Sequence, residues 1–344
     1  MWTEEYLDQL LTTPSPKLIA DISKIKGDII ILGAGGKMGP SLSVLAKNAC
    51  KAAGIDKKII AVSRFSDPMA VDLLNKHDVS TISIDLMKPK AMDTLPDAEN
   101  IIYMAGRKFG TDGQEHLTWA MNTWLPSLAA ERYKHANIVS FSSGNIYPMM
   151  HPQDGGADET TPLDPVGEYA MSCLGRERIF EHASITYGTP VCQYRLNYAV
   201  DLRYGVLNDI AQNILSDQPI KITTPVFNCI WQGSANEIAI RCILLCETPA
   251  NALNVTGPET VSVKWAAREL GKYLGKAPIF IENEDNTPRP NDAALINNAS
   301  KMADIFGYPD VSIGTLIRWQ SEWLLAGGRV LNKPTHFEER KGKF

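Results

Sequence analysis

The segment Gly33-Ala34-Gly35-Gly36-Lys37-Met38-Gly39 constrains this chain more than any other, because the apolar run Ile29-Ile30-Ile31-Leu32 precedes it and a helix-forming stretch follows. A strand, a glycine turn and a helix in that order make a phosphate site. Glycines admit the positive-φ turn and let the backbone approach a pyrophosphate, while unpaired N–H groups and the dipole at the helix N-terminus attract its charge. The spacing G-x-G-x-x-G would need glycine where Met38 stands, so the better match is Gly33, Gly36 and Gly39, with Lys37 and Met38 as further contacts inside the turn.

Around this segment, short β-rich runs alternate with helical patterns. Strands are expected at 28–32, 58–63, 80–84, 100–104, 137–142 and 191–196, with helices near 38–53, 68–77, 115–135 and 166–187. Such alternation predicts an α/β fold, a Rossmann-like doubly wound parallel sheet covered on both faces. Right-handed crossovers then put the ligand crevice at the C-terminal ends of the strands, where the glycine turn lies. After residue 200 the pattern turns irregular, with Pro219, Pro225 and Pro249, before helical runs near 234–246, 262–274 and 311–326. The expected division is an N-terminal helical extension over 1–26, a dinucleotide-binding domain over 27–200 that also takes in about 234–256, and a smaller substrate-binding lobe with the C-terminal tail over 201–344.

Composition narrows the function. The chain has 344 residues, 44% of them hydrophobic, enough for a large core, and its net charge of −5 without a long basic run argues against a nucleic-acid partner. The start Met1-Trp2-Thr3-Glu4-Glu5 lacks a signal-peptide core, and no apolar run approaches the ~18 residues that span a membrane, so a cytoplasmic protein without a membrane partner is expected. The six cysteines, Cys50, Cys173, Cys192, Cys229, Cys242 and Cys246, include no C-x-x-C pair; reduced thiols and no metal site are expected. Nothing here opposes a homodimer.

The end of the second strand should select the cofactor. A carboxylate there would bond the ribose 2′-OH of NAD, whereas a basic residue accommodates the 2′-phosphate of NADP. This chain has Ser63-Arg64, a hydroxyl and a planar guanidinium, with Lys37 as a second cation, so NADP is favoured and NAD is the alternative. The bland alternative is that Arg64 and Lys37 are solvated surface charges. Asp85-Leu86 after the third strand and Ala105-Gly106 after the fourth sit where the adenosine would pass, though turn chemistry alone would also place such residues there.

The order Gly33-x-x-Gly36-x-x-Gly39, Asp85-Leu86, Ala105-Gly106, Asn122, Ser142-Ser143-Gly144-Asn145-Ile146-Tyr147-Pro148 and then Tyr169 resembles the extended short-chain dehydrogenase/reductase family of nucleotide-sugar epimerases and dehydratases. Asn254-Val255-Thr256-Gly257 and Arg289-Pro290-Asn291-Asp292 look like its late strand and its R-P-G-D element, so the resemblance runs from about residue 27 to about 326. It implies an NAD(P)-dependent oxidoreductase or epimerase/dehydratase that acts by hydride transfer on a sugar nucleotide or sugar acid. Asn122 then falls among the cofactor contacts. Moving a hydride from a carbinol carbon needs one group to take the hydroxyl proton and another to hold the oxygen. The resemblance assigns these tasks to Tyr169 and Ser143, the latter four residues before Tyr147.

One departure bears directly on the chemistry. The family reads Y-x-x-x-K, but here the sequence is Tyr169-Ala170-Met171-Ser172-Cys173, and a thiol cannot lower a tyrosine pKa by its charge. Cys173 could still bond weakly to a ribose hydroxyl or fill the space. Arg176 shares the helical face of Tyr169 and Cys173 and is a candidate for the missing charge; pairing with Glu177, Glu181 or solvent is its alternative. On the substrate side the resemblance points to Asn145, Asn197 and Arg289. Trp231 offers a stacking face and Arg107-Lys108 two cations, and together they suit an anionic sugar derivative. The rival class is a dinucleotide sensor that kept the cofactor fold and lost efficient proton transfer.

Overall fold

Every residue of β1 (Ile29–Leu32) is fully buried, as an apolar run without alternation requires of a strand covered on both faces. In a computed structural model that describes residues 2–281, 293–331 and 333–342, β1 lies inside a seven-stranded sheet. The other strands are β2 (Ile59–Ser63), β3 (Ser80–Ser83), β4 (Asn100–Tyr103), β5 (Asn137–Ser143), β6 (Val191–Leu196) and an edge strand, Asn251–Val255. The order is Asn251–Val255, β6, β5, β4, β1, β2, β3, and every pairing is parallel. The Rossmann-like doubly wound sheet expected from the alternation is therefore present. Its winding reverses between β1 and β4, and a crevice opens at the C-terminal ends of those strands.

The helices that cover the sheet begin with α1 (Glu4–Thr12) and α2 (Pro16–Ile22), each with a side-chain N-cap, Thr3 and Ser15. After the glycine turn come α3 (Gly39–Ala52) and, between β2 and β3, α4 (Pro68–Lys76). The single helix expected over 115–135 is instead three pieces: α5 (Glu115–Trp119), a π-helical turn over Ala120–Trp124, and α6 (Leu125–Arg132). Pro126, at the start of α6, has no N–H to give, and the wide turn before it brings Asn122 to the interior. The long α7 (Gly167–Tyr187) then leads into β6.

The stretch after residue 200 is less irregular than its sequence suggests. It opens with α8 (Val206–Leu215), whose Val206, Leu207, Ile210, Ala211 and Ile214 are buried. Asn208 and Asp209 interrupt that apolar stripe in the sequence, which hides the helix. Then follow α9 (Gln232–Arg241), α10 (Val263–Leu274), α11 (Ser300–Phe306) and α12 (Ile313–Leu325).

Helix α9 returns to the sheet and packs Ala235, Ile238 and Ala239 into the core formed with α3. A second core joins α8, α10 and α12 through residues such as Ile210, Leu270, Leu316 and Trp323. The N-terminal helices contribute to both: Leu18 and Ile22 belong to the first, Leu7 and Leu11 to the second. Each such fully buried leucine or isoleucine stabilises the fold by about 1.5–3 kcal/mol. Near the other end of the chain, Asp209 Oδ2 accepts from the amide and hydroxyl of Thr335, Phe337 is buried, and Arg340 donates to the carbonyls of Thr223 and Ala293. Among the described residues no helix is long and apolar enough to cross a membrane.

One charged pair is buried under the C-terminal end of the sheet. Arg195 of β6 donates through Nε and Nη2 to the two carboxylate oxygens of Glu177 on α7, at 3.0 and 2.8 Å, and through Nη1 to the Tyr147 hydroxyl at 2.6 Å. Tyr147 in turn donates to Asn254 Oδ1 at 2.9 Å. The phenol of Tyr147 is thus part of the interior, and it joins β5, β6, α7 and the edge strand.

Candidate active site

The glycine turn has the geometry its sequence implied, glycine by glycine. Gly33 has φ +91°, and a Cβ there would stand 2.5 Å from the Ala105 nitrogen. At Gly39 a Cβ would stand 2.3 Å from the Ala34 carbonyl oxygen, so only glycine lets α3 start this close to the turn. Gly36 is different: the nearest atom to its Cβ position is Gly33 O at 3.5 Å, and the surface beside it is open. Met38 precedes α3 with its side chain in the core, leaving its backbone to face the turn.

A groove runs from this turn across the ends of β2, β3 and β4, lined by Gly33, Gly36, Ser63, Arg64, Asp85, Leu86, Ala105 and Gly106. These candidates, from four separate segments, therefore share one surface. Arg64 is exposed at its edge, and its guanidinium has no hydrogen-bond partner among the described residues. Asp85 also shapes its own turn by accepting from the Met87 amide at 3.0 Å. An open glycine cradle at a helix N-terminus, with a guanidinium at the far edge, fits a dinucleotide phosphate chain.

Two expected cofactor contacts are placed elsewhere. Lys37 does not join Arg64. The residue is exposed, but its ammonium donates to Ala199 O at 2.9 Å and lies 3.7 Å above the centre of the Tyr204 ring, drawn to acceptors from the far half of the chain. Enclosure of that ammonium pulls its pKa down to about 7, with Asp201 and Asp209 opposing the shift and Lys108 adding to it. Asn122 is fully buried and has no atom left for a cofactor. Its Oδ1 accepts from the Arg107 amide and from Arg176 Nη2, both at 2.8 Å, while its Nδ2 donates to Arg107 O and Ser172 Oγ, both at 2.9 Å. These four bonds exhaust a carboxamide. Asn122→Ala is expected to lower unfolding stability by about 1–3 kcal/mol, because it strands Arg176 and the Arg107 amide. An unchanged urea midpoint would contradict that role.

Ser143, Tyr169 and Cys173 meet. Ser143 ends β5, and its hydroxyl accepts from the Asn145 amide at 3.2 Å while interacting with the phenol of Tyr169. Tyr169, in the first turn of α7, also reaches the Cys173 thiol one turn on. Cys173 itself is fully buried, beside Ile146, Tyr147 and Ala157. Burial pushes the Tyr169 phenol well above its ordinary pKa; the thiol adds to that shift, and the Arg176 guanidinium and the Ser143 hydroxyl oppose it. Burial likewise raises the Cys173 thiol, against the pull of Arg176.

Arg176 pairs with neither carboxylate proposed for it. Glu177 is held by Arg195, and Glu181 by Arg178. Arg176 is buried instead, donating to Phe141 O at 2.6 Å and to Asn122. It fills the space behind Gly106, where a Cβ would come 2.5 Å from Nη2.

Of the substrate-side candidates, Arg107 ties its own loop, donating to Gly110 O at 2.6 Å and Gln114 Oε1 at 2.5 Å. Lys108, the next residue, extends over Tyr169, its ammonium 5.8 Å from the ring centre. Asn145 is half-buried next to Ser143, whereas Asn197 is buried and donates to Asn228 Oδ1 and Leu295 O. Trp231 is core: it is 3% exposed and packs edge-on against Trp319 at 5.5 Å, so no ring face remains for a sugar. Arg289 lies outside the described residues. Asp209 and Tyr204, near the two lysines, were not singled out by any sequence pattern, because each acts on residues more than ninety positions away.

A family model described as NAD dependent epimerase/dehydratase family matches residues 29–224, more than half of the chain. No curated protein matches it in sequence. Among solved structures, the UDP-glucuronic acid 4-epimerase from Bacillus cereus in complex with NAD is similar at 16% identity with a TM-score of 0.69, covering 87% of this chain and 99% of that one. The UDP-Glc/GlcNAc 4-epimerase from Campylobacter jejuni gives the same TM-score and coverage at 20% identity. The UDP-glucose 4-epimerase from Thermotoga maritima with UDP-glucose has a TM-score of 0.68 at 16% identity, with 87% and 99% coverage.

Proposed function

Because the chain belongs to the NAD-dependent epimerase/dehydratase family, we propose that it oxidises a hydroxyl of an anionic sugar derivative, a sugar nucleotide or a sugar acid, with Tyr169 as the proton-transfer group. The observation that carries this reading is the meeting of Ser143 and Tyr169 at the end of β5, beside the glycine-turn groove. In this role the Ser143 hydroxyl holds the substrate oxygen, and ionised Tyr169 takes the hydroxyl proton as the carbon yields its hydride. A nicotinamide dinucleotide held by the glycine turn and the groove would supply the hydride acceptor there. Arg176 is always charged and adds a fixed positive field behind the site, but it cannot relay a proton. The similar structures named for UDP-sugars support a sugar nucleotide as the first substrate to try.

The reading is tested by incubating the protein with NADP⁺ or NAD⁺ and UDP-glucuronic acid or UDP-glucose, following cofactor absorbance and the sugar stereocentres by NMR. Neither reduced cofactor nor altered sugar, with cofactor bound, would favour the dinucleotide sensor, a reading that the Cys173 substitution supports.

Cofactor choice follows from Arg64. Its unpartnered guanidinium at the groove edge supports NADP over NAD. Arg64→Ala is expected to weaken NADP binding by about 1.5–3 kcal/mol, the loss of a charge-assisted hydrogen bond, and to leave NAD nearly unchanged. Equal affinity of the unaltered protein for both cofactors, measured by calorimetry, would reject the preference.

A further inference from the structure

Helix α7 has lost the ammonium that would stand one turn after Tyr169, and a neighbouring loop brings one to the same tyrosine. The loop after β4 is held at both ends. The Arg107 amide donates to Asn122 Oδ1 and its carbonyl accepts from Asn122 Nδ2, and its side chain knots the loop through Gly110 and Gln114. Lys108 follows directly, and its ammonium is 5.4 Å from the centre of the Phe109 ring and 5.8 Å from that of Tyr169. It also lies within electrostatic reach of Cys173, the residue in the vacated position.

We propose that Lys108 supplies, from the loop and over the ring of Tyr169, the titratable positive charge that Cys173 cannot. This rests on the reading of Tyr169 as the proton-transfer group. Arg176 contributes a second positive charge from its own place on α7, where it is fastened to Phe141 and Asn122, but a guanidinium does not relay protons. Lys108 differs in that it can give its proton up. Burial lowers its pKa to about 8, while Cys173 and Asp209 oppose the shift. Among the described residues, the charged and titratable groups that act on the pair include Cys173 and Arg176 on α7, Lys37 in the glycine turn and Asp209 on α8. While it is charged, an ammonium over the ring of a phenol favours the ionised form of that phenol.

The test reads tyrosinate directly and needs no substrate. The ultraviolet difference spectrum between the full chain and its Tyr169→Phe variant, both with NADP⁺ bound, is followed from about pH 6 to about pH 11, a range that brackets both free side chains. In Lys108→Met the midpoint for tyrosinate at position 169 is expected to rise by at least one unit, a tenfold change, whereas Lys108→Arg keeps it near the original value. Cys173→Lys alone is expected to change the midpoint little, because the charge is already present, and this arm stands even if Lys108→Met does not fold. Coincident midpoints in the unaltered chain and Lys108→Met, including the case in which neither titrates below about pH 11, overturn the proposal, as does a drop of a full unit in Cys173→Lys. Absence of turnover with UDP-glucuronic acid would defeat the proposed reaction and leave this titration to be read by itself.

Discussion

Tyr169→Phe is expected to lower turnover by about 10²–10⁴-fold, the range contributed by a positioned proton-transfer group. The phenyl ring keeps the shape of the first turn of α7, so cofactor affinity should hold within about threefold and the loss should fall on kcat rather than on binding. The pH dependence has a definite sign. Burial raises the phenol, and only its ionised form accepts the substrate proton, so oxidation by the unaltered protein should accelerate as pH rises above neutrality. Steady-state rates of the two proteins over a pH series check both claims. A variant that retains more than a tenth of the original rate would remove Tyr169 from the reaction.

The second large effect concerns stability. Arg195→Ala leaves the Glu177 carboxylate in the interior with neither of its two charged bonds, and the Tyr147 hydroxyl without its donor. Breaking a buried pair by removing one partner costs about 3–5 kcal/mol, mainly because the remaining charge has lost its compensation. Replacing both members, Arg195→Met with Glu177→Leu, should recover most of that loss, since the apolar pair needs no desolvation. Urea denaturation of the two variants separates the cases; a single variant within about 1 kcal/mol of the original chain would show that water reaches Glu177.

How much of this was legible in the sequence depended on how locally each feature is determined. The glycine turn was readable because its demands are steric and lie within the segment or against the adjoining strands: Gly33 against Ala105, Gly39 against Ala34. The central strands β1 and β2 were readable because a sheet buried on both faces needs unbroken apolar runs, whereas β3, Ser80-Thr81-Ile82-Ser83, is a partly exposed edge strand that shows no such run. The orientation of Lys37 was not, since its ammonium answers to Ala199 and Tyr204, more than 160 positions away. Asn122 was picked out as a polar residue in the right place. Its actual work, closing the β4 loop onto α7 from a π-helical turn, depends on Pro126 and Arg176 together. Trp231 could not be told from a sugar platform by type, because an indole serves either use and only the packing of Trp319 decides.

The partition of the N-terminal helices between two cores sets an order on folding. Leu18 and Ile22 close against α3, within the next thirty residues, and α9 later completes their cover. Leu7 and Leu11 share their core with Leu316, Ile317 and Trp323, and Trp2 donates to Glu322 at 2.9 Å. Those partners are synthesised about three hundred residues later. Helix α3 covers part of α1 early, with Asn48 donating to Thr12 O at 2.9 Å, but the side toward the second core waits for α12, and closing so long a loop is slow. Completing the second core therefore brings together two segments about three hundred residues apart, and a chain cut before α12 should leave Leu7 and Leu11 partly uncovered.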